Sequence, residues 1–487
     1  MSERHVVIIG GGLVGSLTAC YLAKRGWTVD LYEKRQDTRL QQHDGLGDNR
    51  SINLAISERG LAALRRLDPV LEARVKALAI PMHGRMIHAL DGHQSSQPYD
   101  IFGKHINSVS RSALITLLLD EADSYPGVNL HFGHEFITAN FDTGQVVLQE
   151  ADSGGHNNSC ERGRVVVDAD LIVGADGAFS RVRQRMMSKV MINYSQTYIE
   201  HGYCELSMGP RNGDFAISPD HLHIWPRGSF MLIALPNLDR SFTCTLFMPW
   251  QQFDRIKSDA DIVNFFRENF PDALHLMGEK SLCAEFAANP KCSLMYVKCL
   301  PHTYKNRVVI LGDAAHAMVP FYGQGMNCGF EDIEVLDRIM VDTLQHANAS
   351  SKRTADLSNR LLRRALDKYS AIRSVDTSAI VDLALENYIE MRAKVVDFKY
   401  LMRRFLEGLL YRMFPQRIVP LYSMVSFTSI PYADVVTRWN RQSMYLYRSI
   451  KVLAFTAAFG VGLLSARLLG LRLPSPSEIA RIVTRKD

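Results

Sequence analysis

At 487 residues the chain exceeds what one typical hydrophobic core sustains, so two or three structural units are expected, and an apolar share of 47% against 22% charged residues excludes a largely disordered protein. Its net charge of +5 is uneven: from Arg438 to Asp487 nine Lys/Arg stand against two acids, which leaves the rest of the chain near −2 and argues against nucleic-acid binding by the main body. The eight cysteines show neither a CxxC pair nor zinc-type spacing, so free thiols in a reducing compartment and no metal site are expected.

The chain enters its first strand almost at once, at Val6 to Ile9, with no secretory signal expected ahead of it. The strand passes into Gly10-x-Gly12-x-x-Gly15, a helical pattern and a second strand, Thr28 to Glu33, which together make a βαβ unit. One glycine permits the tight turn, one lets the backbone approach a pyrophosphate, and one lets helix pack on strand. The helix start then offers free N–H groups to phosphates. Glu33, 18 residues beyond Gly15, can accept hydrogen bonds from a ribose 2′-hydroxyl and would repel a 2′-phosphate, so the dinucleotide is read as FAD or NAD rather than NADP.

Farther on, residues 50–57 read as a short strand and turn, and the helix from Glu58 to Leu67 carries a plain packing stripe. Ser110 is placed as the N-cap of an apolar helix, with Arg111 in its first turn able to reach a phosphate. Val128 to Leu148 alternates as a strand pair, and Asp170 to Gly177 is an apolar strand ending in Asp176-Gly177, with Arg181 close behind. From Gly202 to Pro249 consecutive strands without helices predict an antiparallel sheet whose inward face could roof a substrate. His221 and His223 share a strand face, but no third ligand is near in sequence. Val308 to Leu311 is a buried-strand run with Gly312-Asp313 at its carboxyl end, where α/β folds bind ligands. The loop Pro320 to Gly325 then opens a helix at about Met326, whose N-terminus can stabilise negative charge on a ring system. Two glycine-punctuated sites some 300 residues apart predict one long ligand running between them.

Ala379 to Phe414 is helical in pattern and is expected to form amphipathic helices closing a pocket, with contact to a membrane left open. Val452 to Ala466 carries no charge, and Leu468 to Leu471 extends it past Arg467, so 449–471 is expected as a transmembrane tail anchor, the competing reading being an amphipathic or buried terminal helix.

The GxGxxG with Glu33, Asp176-Gly177 and Gly312-Asp313, in this order, resemble the single-component flavoprotein aromatic hydroxylases. That resemblance implies one FAD held by all three motifs, NADPH as co-substrate and O₂ as oxidant. Arg85 within IPMHGRMIH, Tyr99, FYGQGMNCGFED and Asn387 to Arg392 resemble most closely those members that hydroxylate L-kynurenine, over nearly the whole chain to about Trp439. The reaction so implied is 3-hydroxylation through a flavin C4a-hydroperoxide in tryptophan catabolism. The implied cofactor residues are Gly10, Gly12, Val14, Gly15, Tyr32, Glu33, Lys34, Arg35, Ala55, Arg111, Phe136, Asp176, Arg181, Asp313, Met326 and Asn327. The implied substrate residues are Arg85, Tyr99, Asn387 and Tyr422, a set in which a guanidinium can grip a carboxylate bidentately while hydroxyls and an amide complete the polar contacts. Gln324 is a candidate for positioning substrate above the flavin, while His316 is read as structural.

The fold class expected is α/β: a Rossmann-like FAD-binding domain over 1–185 and 301–375, an inserted antiparallel sheet over 186–300 and a helical region over 376–440 ending in the anchor. The resemblance also implies the mitochondrial outer membrane, with the catalytic domain facing the cytosol. Two rival readings use the same fold: another FAD-dependent monooxygenase or oxidase acting on a different substrate, and a lipid-escort protein without catalysis.

Overall fold

A computed structural model describes residues 4–40, 53–151, 163–345, 355–393, 395 and 397–468. Residues Met1–Ala433 form one compact unit and Asp434–Asp487 a second.

The β-branched run His5–Ile9 is central to a six-stranded sheet in the order Thr303–Tyr304, Val308–Ile310, Leu171–Gly174, His5–Ile9, Thr28–Glu33, Val128–Phe132. All its pairings are parallel except the one between Thr303–Tyr304 and Val308–Ile310. Strands covered on both faces read as near-continuous apolar runs, as these do, and Val6, Val7, Ile8, Leu171, Ile172, Val308 and Val309 are all fully buried. Parallel pairing puts the carboxyl ends of three strands side by side, so that Gly10, Ala175 and Leu311 leave the sheet on one edge. Ala175 N–H donates to Ile9 O at 2.8 Å and Leu311 N–H to Gly174 O at 2.9 Å, which locks the three exits together.

A second sheet of seven strands runs Lys291–Leu300, Asn193–Met208, Phe242–Pro249, Met231–Pro236, His221–Pro226, Gly84–His88, Gln94–Pro98. Its strands from Asn193 to Leu300 pair antiparallel, as expected, and the sheet is extended beyond them by Gly84–His88, from far upstream, which pairs parallel with His221–Pro226. That pairing sets Arg85 opposite Leu222. The helices Asp259–Asn269, Pro271–Met277 and Glu279–Ala288 supply Phe266, Leu274 and Leu282 to the apolar core behind this sheet. Of the alternating stretch read as one strand pair, Val128–Phe132 joins the first sheet, whereas His134–Asn140 and Gln145–Glu150 form a hairpin.

The glycine-rich loop ahead of Met326 feeds the helix Gly325–Gln345, and Ala355–Ala393 follows as one 39-residue helix before Phe398–Met413 and Leu421–Phe427. The second unit is helical through Leu468, as part of the helix Tyr432–Leu468. The anchor expected over 449–471 is not supported: among the described residues no helix is long and apolar enough to cross a membrane. Arg438, Arg441, Arg448 and Lys451 break up the stretch ahead of the uncharged run, and residues 469–471 lie outside the described residues.

Candidate active site

A cavity of about 650 Å³ lies in the first unit and carries glycine turns at one end and a buried arginine at the other. Gly12 and Asp313 line this same cavity. Two turns some 300 residues apart in sequence therefore do border one ligand space.

At the first end, Gly10 has φ +106°, and a Cβ there would meet Ala175 O at 2.4 Å, so no other residue fits the turn. A Cβ on Gly15 would meet Gly10 O at 1.9 Å, and this close packing of helix on strand keeps Gly15 itself out of the cavity lining. Gly12 differs, because a Cβ there meets nothing within 4 Å. It is the N-cap of the helix Leu13–Lys24 with no side-chain cap bond, so the first-turn N–H groups remain free for a phosphate.

Glu33 accepts from Gly11 N–H at 2.8 Å on one oxygen and from Arg35 N–H and Nε on the other, at 3.0 and 2.8 Å. Burial alone would raise its carboxyl, but Arg35 and the two amides outweigh that and hold it below the ordinary range. It is thus ionised, and Oε2, with a single bond from Gly11, keeps a lone pair for a ribose hydroxyl. Tyr32, stacked on His131 at 4.4 Å, Lys34 and Arg35 line the same end.

Ala55, Arg111, Phe136, Asp176, Arg181, Asp313, Met326 and Val14 also line the cavity. Asp176 Oδ2 accepts from Arg181 N–H at 2.8 Å and Val182 N–H at 3.1 Å, while its buried Oδ1 has no partner and is free for a ligand hydroxyl or amide. Burial pushes its carboxyl up. Arg181 is tied to Phe136 O at 3.2 Å and to Glu135 at 3.0 Å, so it forms a rim rather than a wall.

At the opposite end Arg85 is only 4% exposed. Its Nη1 donates to Glu390 at 3.2 Å, while its guanidinium lies 5.0 Å from the Tyr422 ring centre and 5.7 Å from that of Tyr99. Burial opposes the charge on Arg85, but Glu390 outweighs it, so the guanidinium stays cationic. Tyr99 and Tyr422 stack at 4.8 Å with planes 9° apart, and Tyr322 continues the stack at 5.6 Å. Arg85 Nε and the Tyr99 hydroxyl are buried donors without a partner. A buried unpaired donor is costly, and a carboxylate between them would satisfy both.

Besides Gly15, three candidates, all primary amides, stand outside the cavity lining. Asn327 accepts from Ser57 N–H at 2.9 Å and donates to Ala55 O at 2.8 Å and Gly323 O at 2.7 Å; it clamps the loop with its whole amide. Asn387 donates to Phe321 O at 2.7 Å and so holds the 320–325 loop from behind. Gln324 is buried and accepts from the Tyr432 hydroxyl at 3.1 Å. Asn327 and Asn387 thus bind the loop backbone, and Gln324 bonds the Tyr432 hydroxyl.

The roof of the cavity comes from alternate residues of four strands, Tyr203, Leu222, Ile233, Leu235 and Phe247. The period-2 pattern gave the sheet, but which face turned inward was not readable without the register. Glu390, one residue ahead of the cavity-lining Met391, is a partner of Arg85 that sequence reading passed over inside NYIEMR.

The histidines play supporting roles. His223 bonds His88 at 2.8 Å and Ser218 O at 2.7 Å, whereas His221 turns to Ser96 and Asp220, so the two do not converge on one point. The ligand atoms of His316, Cys328 and Asp332 lie within 4.8 Å of one another. The Arg373 guanidinium, 2.8 Å from Asp332 and 3.3 Å from Cys328 Sγ, already supplies the positive charge there.

A family model described as an FAD binding domain matches residues 3–366. The chain is 42% identical over 442 residues to a kynurenine 3-monooxygenase of Sus scrofa, covering 91% of this chain and 88% of the relative. It is 43% identical over 448 residues to a kynurenine 3-monooxygenase of Drosophila willistoni, covering 92% of each. Among solved structures, a tetrameric form of 2-methyl-3-hydroxypyridine-5-carboxylic acid oxygenase matches with a TM-score of 0.60 at 21% identity, over 81% of this chain and 94% of that one.

Proposed function

Since the chain belongs to the kynurenine 3-monooxygenase family of FAD-dependent enzymes, we propose that it hydroxylates L-kynurenine, with Arg85 gripping the substrate carboxylate and the glycine turns holding the cofactor. The observation that carries this reading is the single cavity with uncapped helix N–H groups and an ionised Glu33 at one end, and unpartnered buried donors on Arg85 and Tyr99 at the other.

The donor set suits FAD. The free amides at Gly12 to Val14 would take the pyrophosphate, Glu33 a ribose, and Asp313 the chain between phosphate and ring. When bound, FAD accepts reducing equivalents from NADPH and activates O₂ for transfer of one oxygen atom to an aromatic ring. The chain's own residues supply position and dryness. The Arg85 fork pairs with the carboxylate, and the tyrosine stack beside it offers flat apolar faces and one free hydroxyl. Roof residues Leu222, Ile233, Leu235 and Phe247 carry no titratable group, so the aromatic end of the substrate meets a surface that keeps water away. The aniline nitrogen of kynurenine already activates the adjacent ring carbon, so no strong base is required.

NADPH oxidation measured with and without kynurenine, with the product analysed for one added oxygen atom, tests the proposal. Kynurenine-independent oxidation, or a product of unchanged mass, rejects it.

A further inference from the structure

Outside the cavity lining lies a set of buried charges that the hydroxylation chemistry does not use. Arg59, on the helix Glu58–Leu67, has its side chain fully buried and spends every arm of its guanidinium. Nε donates to Val425 O at 2.8 Å, Nη1 to Glu331 at 2.5 Å and Nη2 to Ile430 O. Its carbon Cζ lies 3.9 Å from the centre of the Tyr432 ring. Glu331 also accepts from Arg373 at 2.9 Å, and Arg373 pairs with Asp332 at 2.8 Å. Asp332 in turn accepts from Gly312 N–H at 2.9 Å, the amide just ahead of Asp313.

The ends of this chain of contacts matter more than its middle. Val425 belongs to the helix Leu421–Phe427, which carries Tyr422 onto Arg85. Tyr432, under the Arg59 guanidinium, donates its hydroxyl to Gln324, in the loop that opens the helix Gly325–Gln345 beside the cavity. Arg59 therefore touches, directly or through one residue, both the tyrosine wall and the cofactor-side loop, while lining neither. A buried pair kept only for stability is weakly motivated, because an apolar set of similar volume does as well. Contacts that converge on two walls of one cavity have a more specific use.

We infer that Arg59 is a positioning residue that holds the tyrosine wall and the 320–325 loop in mutual register, so that substrate seated on Arg85 meets a closed, dry roof. The inference deepens the proposed hydroxylase reading and rests on it. The carbonyls of Val425 and Ile430 and the carboxylate of Glu331 diverge around a planar fork, and an ammonium on a flexible stem cannot serve all three at once.

Two variants of the holoenzyme test it: R59K, which keeps the charge and loses the fork, and Y432F, which keeps the ring and removes only the bond to Gln324. Expected for R59K are retained FAD content, a KM for kynurenine raised about tenfold, as for a misplaced wall distant from the chemistry, and less hydroxylated product per NADPH with more hydrogen peroxide. Y432F is expected to lose product per NADPH with KM close to wild type and a modestly lower Tm, since the buried Gln324 loses its partner. Wild-type KM and product yield in both variants, with at most a lower Tm, would overturn the inference. Should R59K fail to fold, Y432F decides alone, and an undiminished product yield rejects the idea. If the wild-type enzyme shows no kynurenine-stimulated NADPH oxidation, the functional reading fails at its root and this inference falls with it.

Discussion

Replacing Arg85 by alanine tests the substrate end directly. The guanidinium is buried, one arm meets the partly exposed Glu390 at 3.2 Å, and Nε is unused. Truncating one partner of a desolvated charge pair costs about 2–5 kcal/mol of binding, and at about 1.4 kcal/mol per tenfold this corresponds to roughly 30- to 4000-fold in affinity. The structure selects the lower half of that range, because Glu390 already neutralises part of Arg85 and the incoming carboxylate must share it. Glu390 keeps the Tyr400 hydroxyl at 2.8 Å and access to solvent, so losing Arg85 does not strand a buried charge. FAD content should be unchanged, since Gly12 and Glu33 belong to the parallel sheet and its exits whereas Arg85 stands on the other sheet. The assay is a kynurenine titration followed through the flavin absorbance, with FAD content measured on the same sample. An affinity within about twofold of wild type would remove Arg85 from the site, because so small a change is below what even a neutral hydrogen bond contributes. Loss of FAD together with substrate binding would show instead that the two ends are not separable.

Other expectations follow from the same geometry. Gly12→Ala should fold with the apoprotein Tm of wild type yet bind FAD more weakly, because the added Cβ meets no protein atom and points where a pyrophosphate would lie; unchanged FAD affinity in a fluorescence titration contradicts this. Asn327→Ala should lower Tm, since three backbone groups lose their partner and each buried one costs about 1–3 kcal/mol; a Tm equal to wild type would mean the clamp is dispensable. Burial, and next to it the neighbouring His88, keep the His223 imidazole neutral down to about 3. Its unfolded value is about 6.5, so the folded state binds fewer protons between the two, and the associated stability is complete above about 6.5 and lost as the pH falls toward 3. The loss approaches about 1.4 kcal/mol per pH unit for this one group. His223→Gln should flatten the fall of Tm between about pH 6 and about pH 4, and an unaltered slope would assign the acid sensitivity elsewhere.

The cofactor end was legible because its chemistry is local. Gly10, Gly12 and Gly15 stand within six residues, and the strand ahead of them and Glu33 behind them are set by a βαβ unit that any sequence reader can count. Asp176 and Asp313 were found the same way, each at the carboxyl end of an apolar run, and parallel pairing does the rest by bringing those ends to one edge. The substrate end is different in kind. Arg85 comes beside Leu222 only because a strand from the first 100 residues pairs with one from the 220s, a crossover that no local pattern announces. Its positions could be named through resemblance alone, and its partner Glu390 was passed over. The anchor read from the uncharged run after Val452 finds no support, since among the described residues no helix is long and apolar enough to cross a membrane.

The three amides outside the cavity lining carry the broader point. Asn327, Asn387 and Gln324 all sit in or beside motifs that touch the ligand space, and an amide in such a motif reads naturally as a ligand contact. A primary amide has two donors and an acceptor, however, and a loop leaving a helix start has backbone groups with no helical partner. The 320–325 loop satisfies Gly323 O through Asn327 and Phe321 O through Asn387. Their Nδ2 groups could not also serve a ligand without releasing the loop that shapes the cavity. Where a glycine-rich loop borders a cavity, polar residues within hydrogen-bonding reach of its backbone are therefore to be assigned to the loop first. Only donors still unsatisfied after that accounting, here Arg85 Nε and the Tyr99 hydroxyl, are candidates to meet the substrate.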